Sequence, residues 1–258
     1  ITHRDGLSNS SILSLAQDAD GYIWAGSCDG LNLWDGNSAR HFRLSGNLIQ
    51  EIVATDDGYL WVRTNYGVDR FDTRDRRIEM LAGFQRVYKF AARSRDEAFF
   101  LHGNKLYGYV ASQGAFEPLD VRGEELNGVL RMCLDGDGVL WLVRSEDIRC
   151  AQVVYDAGGR ASVGEWERMP LPDGVVFTRY DGDRTIFFTD RNGMLFRFDT
   201  GQRRAFPIFD LREELGRRGT LSSVISDKDD YVLAFGMSGV LRLRSTDPIE
   251  GRYELQEI

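Results

Sequence analysis

The side chains best suited to chemistry in this sequence lie at Asp-Gly turns. Asp18 and Asp20 stand directly before a glycine turn, and Asp135 and Asp137 repeat the arrangement. Clustered carboxylates of this kind can bind Ca²⁺, which takes about six oxygen ligands, but each turn offers only two. Asp-Gly pairs also suit tight hairpin turns. We therefore interpret both as structural turns and predict neither a metal site nor a bound cofactor.

Catalytic patterns are sparse. The histidines are His3, His41 and His102, and none lies in a GxSxG or Cys-His setting, so a serine or cysteine nucleophile lacks an evident base. Glycoside hydrolysis needs two carboxylates about 5–10 Å apart, and 40 acidic residues leave a secreted carbohydrate-active hydrolase or lyase as an alternative. Three cysteines without CxxC spacing predict neither zinc nor a disulfide framework.

Composition and charge exclude several classes of protein. Hydrophobic residues make up 42% of 258, enough for a sizeable core. The net charge of −8 argues against non-specific nucleic-acid binding, because a duplex would be repelled. There is no run of about 18 apolar residues, so we expect no membrane span in this chain. The first residues lack a signal-peptide pattern, so any export signal or anchor would lie outside this sequence.

The most informative feature is an internal repeat. Six segments align on one large or apolar residue, with spacings of 37 to 46 residues. Asp-Gly or related pairs precede this residue by four positions in most copies, and a glycine followed by an apolar residue stands six positions after it in four copies. The aligned residues are Trp24, Trp61, Phe99, Trp141, Phe187 and Leu233.

Each repeat reads as four short antiparallel strands. In the first copy, β-forming runs around Leu13, Ile23, Leu31 and His41 are separated by turns rich in Asp and Gly. Four strands in about 40 residues is the size of one propeller blade. The sequence therefore predicts an all-β fold, a β-propeller of four-stranded blades in which the large second-strand residue fills the space between adjacent blades.

Two further features concern a predicted helix and the closure of the propeller ring. A helix is predicted over 210–215, with Asp210 as N-cap and Gly216 as its stop. The segment Ile1-Thr2-His3 could complete the last blade, although the sixth copy already has its own fourth strand. Six copies with a spare strand indicate either a six-bladed ring or an incomplete seven-bladed ring, and these alternatives stay open.

The candidate ligand-binding residues follow from the blade geometry. Turns between second and third strands emerge on the same side of a propeller as the links between blades. Asn, Asp, Arg and Tyr in these positions suit sugar hydroxyls, since they offer donors, acceptors and an aromatic face. The turns contribute Asp29, Asn65, Tyr66, His102, Asn104, Glu146, Arg191 and Asn192, and the links contribute Asn9, Asn47, Arg86 and Asn127.

Several motifs together resemble a known repeat family. Residues 6–12 read Gly-Leu-Ser-Asn-Ser-Ser-Ile, residues 17–24 read Gln-Asp-Ala-Asp-Gly-Tyr-Ile-Trp, and residues 30–36 read Gly-Leu-Asn-Leu-Trp-Asp-Gly. These segments resemble the two-component regulator propeller repeat. The second copy (57–61 and 67–72) and the fourth (137–141) also match, whereas copies three, five and six are degenerate.

The resemblance implies a non-catalytic, periplasmic sensor of a hybrid two-component histidine kinase, responding to a carbohydrate-derived signal. It further implies a longer receptor with a second propeller, a β-sandwich, a membrane span and a kinase, an oligosaccharide ligand and a homodimer. We expect one propeller domain over 1–258, with repeats at about 5–44, 47–81, 84–119, 126–169, 174–209 and 219–258. A protein-interaction scaffold of the WD40 type is a further alternative, although the Gly-His and Trp-Asp signature is missing.

Overall fold

The structure is a computed structural model that describes residues 6–9, 11–81, 87, 89–171, 174–180, 184–235, 238–247 and 250–257. Ile1, Thr2, His3 and Arg86, which carry two of the expectations above, lie outside these residues. The chain divides into two compact units. Unit one comprises Ile1–Asn127 and Gln152–Glu165, and unit two comprises Gly128–Ala151 and Trp166–Ile258.

Unit one contains the first three blades, each a four-stranded antiparallel sheet whose strands are in chain order. Blade 1 consists of β1 (Ile12–Gln17), β2 (Ile23–Ser27), β3 (Gly30–Trp34) and β4 (Ala39–Phe42); blade 2 of β5 (Ile49–Ala54), β6 (Tyr59–Thr64), β7 (Val68–Asp72) and β8 (Ile78–Met80); blade 3 of β9 (Lys89–Ser94), β10 (Glu97–His102), β11 (Lys105–Val110) and β12 (Ala115–Pro118).

Unit two contains the other three blades. Blade 4 consists of β13 (Arg131–Leu134), β14 (Val139–Val143), β15 (Asp147–Tyr155) and β17 (Glu167–Pro170); blade 5 of β18 (Val175–Tyr180), β19 (Thr185–Asp190), β20 (Met194–Asp199) and β21 (Arg204–Asp210); blade 6 of β22 (Ser223–Asp227), β23 (Asp230–Ala234), β24 (Val240–Asp247) and β25 (Arg252–Glu257). The all-β fold with six propeller blades is confirmed.

Blade 4 carries an insertion that the sequence analysis did not resolve. β15 is nine residues long; its first half pairs with β17, and its second half pairs with β16 (Ala161–Val163). The tip of this hairpin belongs to unit one, where Ser112 donates to the carbonyl of Gly158 at 3.0 Å and Arg160 lies 2.8 Å from Glu117. The insertion explains the spacing of 46 residues between the fourth and fifth aligned positions.

The predicted helix exists, but its bounds were wrong. α1 runs Arg212–Arg218, with Leu211 as N-cap and Gly219 as C-cap. Asp210 is still in β21, paired with Met194, and its carboxylate accepts the amide of Arg212 at 3.0 Å. Gly216 does not end the helix, whereas Gly219 adopts φ 84 and does because a left-handed residue stops helical hydrogen bonding.

Inter-blade packing follows the second-strand residue, as predicted for the tryptophans. Within unit one, Trp24 packs edge-on against Phe71 of blade 2, with ring centroids 5.1 Å apart. Within unit two, Trp141 contacts Phe198 of blade 5 at 5.6 Å. Each indole is almost fully buried. Five of the six aligned residues thus lie in equivalent, buried second-strand positions: Trp24, Trp61, Phe99, Trp141 and Phe187.

Leu233 is the exception among the aligned residues. It is buried in β23, but it packs with Tyr231 in the cluster that Phe187 of blade 5 enters. The turn between β22 and β23 contains only two residues beyond the paired Asp227 and Asp230, so this strand is out of phase with the other copies. Leu233 therefore fits the sequence alignment because it is apolar, but it faces the preceding blade.

A buried carboxylate in blade 2 gives a prediction with an internal control. Asp69 and Asn32 occupy the same register position, opposite Val62 and Ala25 respectively. Asn32 accepts the amide of Ser8 and donates to the carbonyls of Ala25 and Gly30. Asp69 accepts the amide of Ser45 at 2.8 Å, but an ionised carboxylate cannot donate. Burial raises the pKa of Asp69, and the hydrogen bonds from Ser45 oppose that rise.

We expect Asp69→Asn to raise the free energy of unfolding at pH 7 by about 1–2 kcal/mol, since the amide can donate where the carboxylate cannot. The raised pKa means that wild-type Asp69 favours folding most below its ordinary pKa, and that this contribution is lost as pH rises through the raised value. The difference between variant and wild type should therefore shrink on acidification. Asn32→Asp is the matched control and should have the opposite sign in urea unfolding.

Candidate functional site

In unit one, hydrogen bonds bring several of the predicted ligand-binding residues onto one surface. The amide of Gly30, next to Asp29, donates to the carbonyl of Asn47 at 2.7 Å. Asn65 and Leu48 form two hydrogen bonds, from the amide of Asn65 to the carbonyl of Leu48 and from the amide of Leu48 to Oδ1 of Asn65, each 3.2 Å. The turn of blade 1, the link and the turn of blade 2 are thereby joined.

Tyr66 is the aromatic residue of this surface. It lies beside Asn65 in the β6–β7 turn, its side chain is 54% exposed, and its amide donates to Oγ1 of Thr64 at 3.1 Å. Asp29, Asn47 and Asn65 are also exposed. We refer to Asp29, Asn47, Asn65 and Tyr66 as the turn surface. It combines a carboxylate, two amides and a phenol ring, the groups that bind sugar hydroxyls and sugar ring faces.

The turn surface is held from below by a repeated hydroxyl network. Ser8 and Ser27 lie with their hydroxyl oxygens 3.1 Å apart, and Ser45 and Thr64 repeat the contact one blade later at 3.2 Å. Gly46 fits against this network closely, because a Cβ at that position would lie 2.3 Å from Oδ1 of Asn65. The link therefore requires glycine, and the position of Asn65 is fixed by the backbone around it.

The other predicted residues that the structure describes in unit one are Asn104, His102, Asn127 and Asn9. Asn104 is exposed in the β10–β11 turn, and His102 is half-buried at the end of β10, edge-on to Tyr107. Asn127 is exposed. Oδ1 of Asn9 accepts the amide of Ser11 at 2.7 Å, so Asn9 shapes its own turn.

In unit two, the structure brings together the three remaining candidates. Glu146, Arg191 and Asn192 are exposed in the β14–β15 and β19–β20 turns. Both turns approach Gly174, where a Cβ would lie 2.9 Å from Nε of Arg191 and 3.4 Å from the carbonyl oxygen of Ser145. These residues therefore form a second group of turn side chains, described here within unit two alone.

Asn192 also borders an open groove of unit two. The groove is lined by Met194, Phe196 and Pro207 with the ion pair of Asp210 and Arg212. Oδ1 of Asp190 accepts the amides of Asn192 and Met194, so this carboxylate serves the turn rather than the groove.

Two of the four aspartates considered for calcium, Asp18 and Asp135, accept hydrogen bonds within their turns. Oδ1 of Asp18 accepts the amides of Asp20 and Tyr22, and Oδ2 accepts the indole N–H of Trp24 at 2.7 Å. Asp135 repeats all three bonds, with its indole bond to Trp141 at 2.6 Å. The relevant spacing is six residues before the tryptophan, a signal that the sequence analysis missed. Within the described residues, no group of three or more His, Cys, Asp or Glu side chains could hold a metal ion.

None of the three cysteines is in a disulfide: Cys28 is exposed beside Asp29, whereas Cys133 and Cys150 are buried in blade 4. Burial raises the pKa of Cys150 to about 11, so this thiol is protonated at neutral pH and is a poor nucleophile. No helix in the described part of the chain is long and apolar enough to cross a bilayer.

Comparison with known proteins confirms the resemblance inferred from the sequence. Residues 6–29 match the family model of the two component regulator propeller. This segment contains Asp29, β1 and β2, together with the turn in which Asp18 binds Trp24. The search of curated proteins finds no match.

Solved structures share the fold. The extracellular domain of a hybrid two component system from B. thetaiotaomicron superposes with a TM-score of 0.67 at 20% identity, over 98% of this chain and 33% of that one. PorZ, a surface component of the type-IX secretion system of Porphyromonas gingivalis, gives 0.71 at 15% identity, over 100% and 34%. An auxiliary nutrient binding protein from Bacteroides thetaiotaomicron gives 0.63 at 10%, over 96% and 70%. The chain thus spans about a third of the length of the first two.

Proposed function

We propose that this chain is a non-catalytic ligand-sensing propeller of a two-component receptor, located outside the cytoplasmic membrane, and that it recognises a carbohydrate-derived signal. The observation that carries the proposal is the turn surface, in which hydrogen bonds of Gly30 and Asn65 to the link at Asn47 and Leu48 hold the two turns that carry Asp29 and Tyr66. The family match over 6–29 and the fold shared with an extracellular two-component domain support the receptor context.

The turn surface is suited to binding rather than to bond cleavage. Its one carboxylate is that of Asp29, which lies exposed in the β2–β3 turn. The backbone amide of Asp29 donates to Oγ of Ser27. Glycoside hydrolysis needs a second carboxylate at a set distance, and the other three members of the surface are two amides and a phenol. Polar side chains on a rigid backbone platform bind a sugar with little ordering of the protein.

Ligand binding would be coupled to the parent receptor through the propeller. A ligand shifts an equilibrium only by its difference in affinity for the two states. The turn surface joins blade 1 to blade 2 through their link, so a ligand on it favours the arrangement in which the two turns are close. In a dimeric receptor, this preference would be passed to the domains that follow.

A screen of glycan fragments tests the proposal. Each fragment is added to the purified chain, the melting temperature is recorded, and a reducing-end assay is run on the same samples. The proposal expects at least one fragment to raise the melting temperature with no release of reducing ends. Turnover would instead identify a carbohydrate-active enzyme, and no shift with any fragment would contradict carbohydrate recognition.

Tyr66→Ala tests the site itself. Loss of one aromatic stacking partner should weaken binding of the best fragment about tenfold, since such a contact contributes about 1–2 kcal/mol, while stability changes little because the side chain is 54% exposed. Tyr22→Ala is the matched control, a tyrosine 45% exposed in the β1–β2 turn. Isothermal titration should show an unchanged affinity of the fragment for that control. An equal loss of affinity in both variants would contradict binding at the turn surface.

A further inference from the structure

Blades 1 and 2 share the register of their first three strands but differ at several side chains. Their strands have the same register, with Ala16 opposite Trp24 and Val53 opposite Trp61. A shift of 37 residues therefore relates the two blades, and it relates Tyr22, Trp24 and Asp35 to Tyr59, Trp61 and Asp72, identical residues in each case. The residue opposite the tryptophan on the third strand is different: Leu33 in blade 1 and Arg70 in blade 2. Its partner on the fourth strand differs too: Arg40 is opposite Leu33, whereas Glu79 is opposite Arg70.

In blade 2, Arg70 places a guanidinium group in an aromatic niche. Its Cζ atom lies 5.8 Å from the ring centroid of Tyr59, 5.5 Å from that of Trp61 and 4.9 Å from that of Tyr109. Nη1 donates to the carbonyl of Arg95 at 2.8 Å, and Nη2 donates to Glu79 at 2.6 Å. The side chain is only 5% exposed. Nη1 also donates to Oδ1 of Asp96 at 3.4 Å. Three aromatic rings and three acceptors around one cation form a cation–π site occupied by the protein itself.

In blade 1, the corresponding space is a cavity. Leu33 lines this space but is too short to fill it, and a volume of about 120 Å³ remains between blades 1 and 2. Its wall contains the corresponding aromatic residues, Tyr22 and Trp24, and Thr73 contributes a hydroxyl. The third aromatic position is also kept, because Phe71 lies edge-on to Trp24 at 5.1 Å, as Tyr109 does to Trp61 at 5.2 Å.

The charged side chains of this cavity have a net negative charge. Three carboxylates line it, Asp18, Asp20 and Asp35, and two guanidinium groups, Arg40 and Arg76. Asp18 stands where blade 2 has Thr55, so blade 1 has gained a carboxylate in this turn. Hydrogen bonds from the amides of Ser38 and Asn37 lower the pKa of Asp35, which keeps that carboxylate charged near neutral pH.

We propose that the cavity of blade 1 binds the guanidinium group of a small ligand against the aromatic residues that correspond to those around Arg70, with carboxylates at other positions in place of Glu79. The group would lie against Tyr22 and Trp24 with its charge balanced by Asp20 and Asp35. Arg40 and Arg76 border the same cavity and suit a carboxylate on the other end of the ligand. The site is separate from the turn surface and does not depend on carbohydrate recognition.

Titration with ethylguanidinium, followed by ¹⁵N–¹H NMR of the tryptophan indoles, tests this site. The Trp24 resonance, assigned from a Trp24→Phe sample, should shift saturably. Ethylurea has nearly the same shape without the charge, and it should bind about tenfold more weakly, the ratio expected when a cation–π contact is lost. Equal shifts with the two compounds, or no saturable shift at Trp24, would overturn the proposal.

Two variants at one position give an independent readout. Leu33→Arg supplies the guanidinium from the chain itself, and we expect it to abolish the saturable shift. Leu33→Met conserves volume without charge and should leave the affinity within about threefold of wild type. An arginine variant that folds and still binds ethylguanidinium like wild type would contradict the assignment. If that variant does not fold, the comparison of ethylguanidinium with ethylurea on the wild-type chain still decides.

Discussion

Replacing Trp61 with alanine is expected to lower the free energy of unfolding by about 3–5 kcal/mol, the range for deleting a large buried aromatic side chain. Trp61 is fully buried between blades 2 and 3, with ring centroids of Phe90, Tyr109 and Phe116 within 5.9 Å. Its indole N–H donates to the carbonyl of Ser94 at 2.8 Å. The variant loses packing on three rings and leaves that carbonyl without its donor.

Urea unfolding measures the effect of Trp61→Ala. Trp61→Phe should recover part of the loss, because a phenyl ring refills much of the space but cannot donate to Ser94. Tyr66→Ala, which removes an exposed ring five residues away, is the control for general effects of truncation. A loss below about 1 kcal/mol for Trp61→Ala would show that this side chain does not fill the space between the blades.

Replacing Asp147 with asparagine is expected to cost about 3 kcal/mol, near the lower end of the range for breaking a buried ion pair. Asp147 is 2% exposed and forms ion pairs with three arginines, with Arg149 Nη2 at 3.1 Å, Arg168 Nε at 2.5 Å and Arg144 Nε at 3.8 Å. Arg149 and Arg168 are directly opposite each other on β15 and β17. Like charges at such positions destabilise a sheet, so the carboxylate of Asp147 offsets the repulsion between Arg149 and Arg168.

The pKa of Arg149 is consistent with this cluster, since burial lowers it and the charge of Arg168 adds to the effect. The second substitution Arg168→Gln should therefore restore part of the stability lost in Asp147→Asn. Chemical denaturation of the single and double variants measures the coupling. Glu165→Gln, which breaks the exposed pair with Arg122, should cost less than 1 kcal/mol. An equal cost at both sites would show that Asp147 does not neutralise the arginine pair.

The repeat made most of the fold predictable from the sequence. Asp-Gly turns and β-forming runs have strong local signals, so the four strands of blade 1 could be placed to within about two residues. The burial of Trp24, Trp61 and Trp141 also followed, because a four-stranded sheet must cover both faces. The strand positions depend on neighbours in the sequence, and the burial of the tryptophans depends on the repeat, which places equivalent residues between successive blades.

The wrong predictions lie where contacts between residues far apart in the sequence determine the local structure. Asp210 is a good helix cap by type, yet its pairing with Met194 keeps it in a strand. Leu233 has the right spacing, but a shorter hairpin turns it towards the preceding blade. The hairpin of β15 and β16 contacts blade 3 through residues far apart in sequence. In each case the local pattern allowed two outcomes, and tertiary contacts chose one.

The candidate site was partly predictable. Blade topology placed Asp29, Asn47, Asn65 and Tyr66 on one side, and the hydrogen bonds of the link explain why they are adjacent. The same reasoning selected Asn9 and Asn104, for which the described part of unit one shows no such hydrogen bond to the turn surface. The cavity beside Trp24 was not predicted from the sequence. It was recognised from the strand pairing, which places Leu33 and Arg70 at equivalent positions of their blades.

Amide hydrogen exchange with and without the best glycan fragment tests the central claim most directly. If the turn surface binds the ligand, protection should increase in segments 28–30, 46–48 and 65–67, and the β1–β2 and β5–β6 turns at 18–22 and 55–59 should be unchanged. Protection confined to those β1–β2 and β5–β6 turns, with none in the three segments, would contradict the claim.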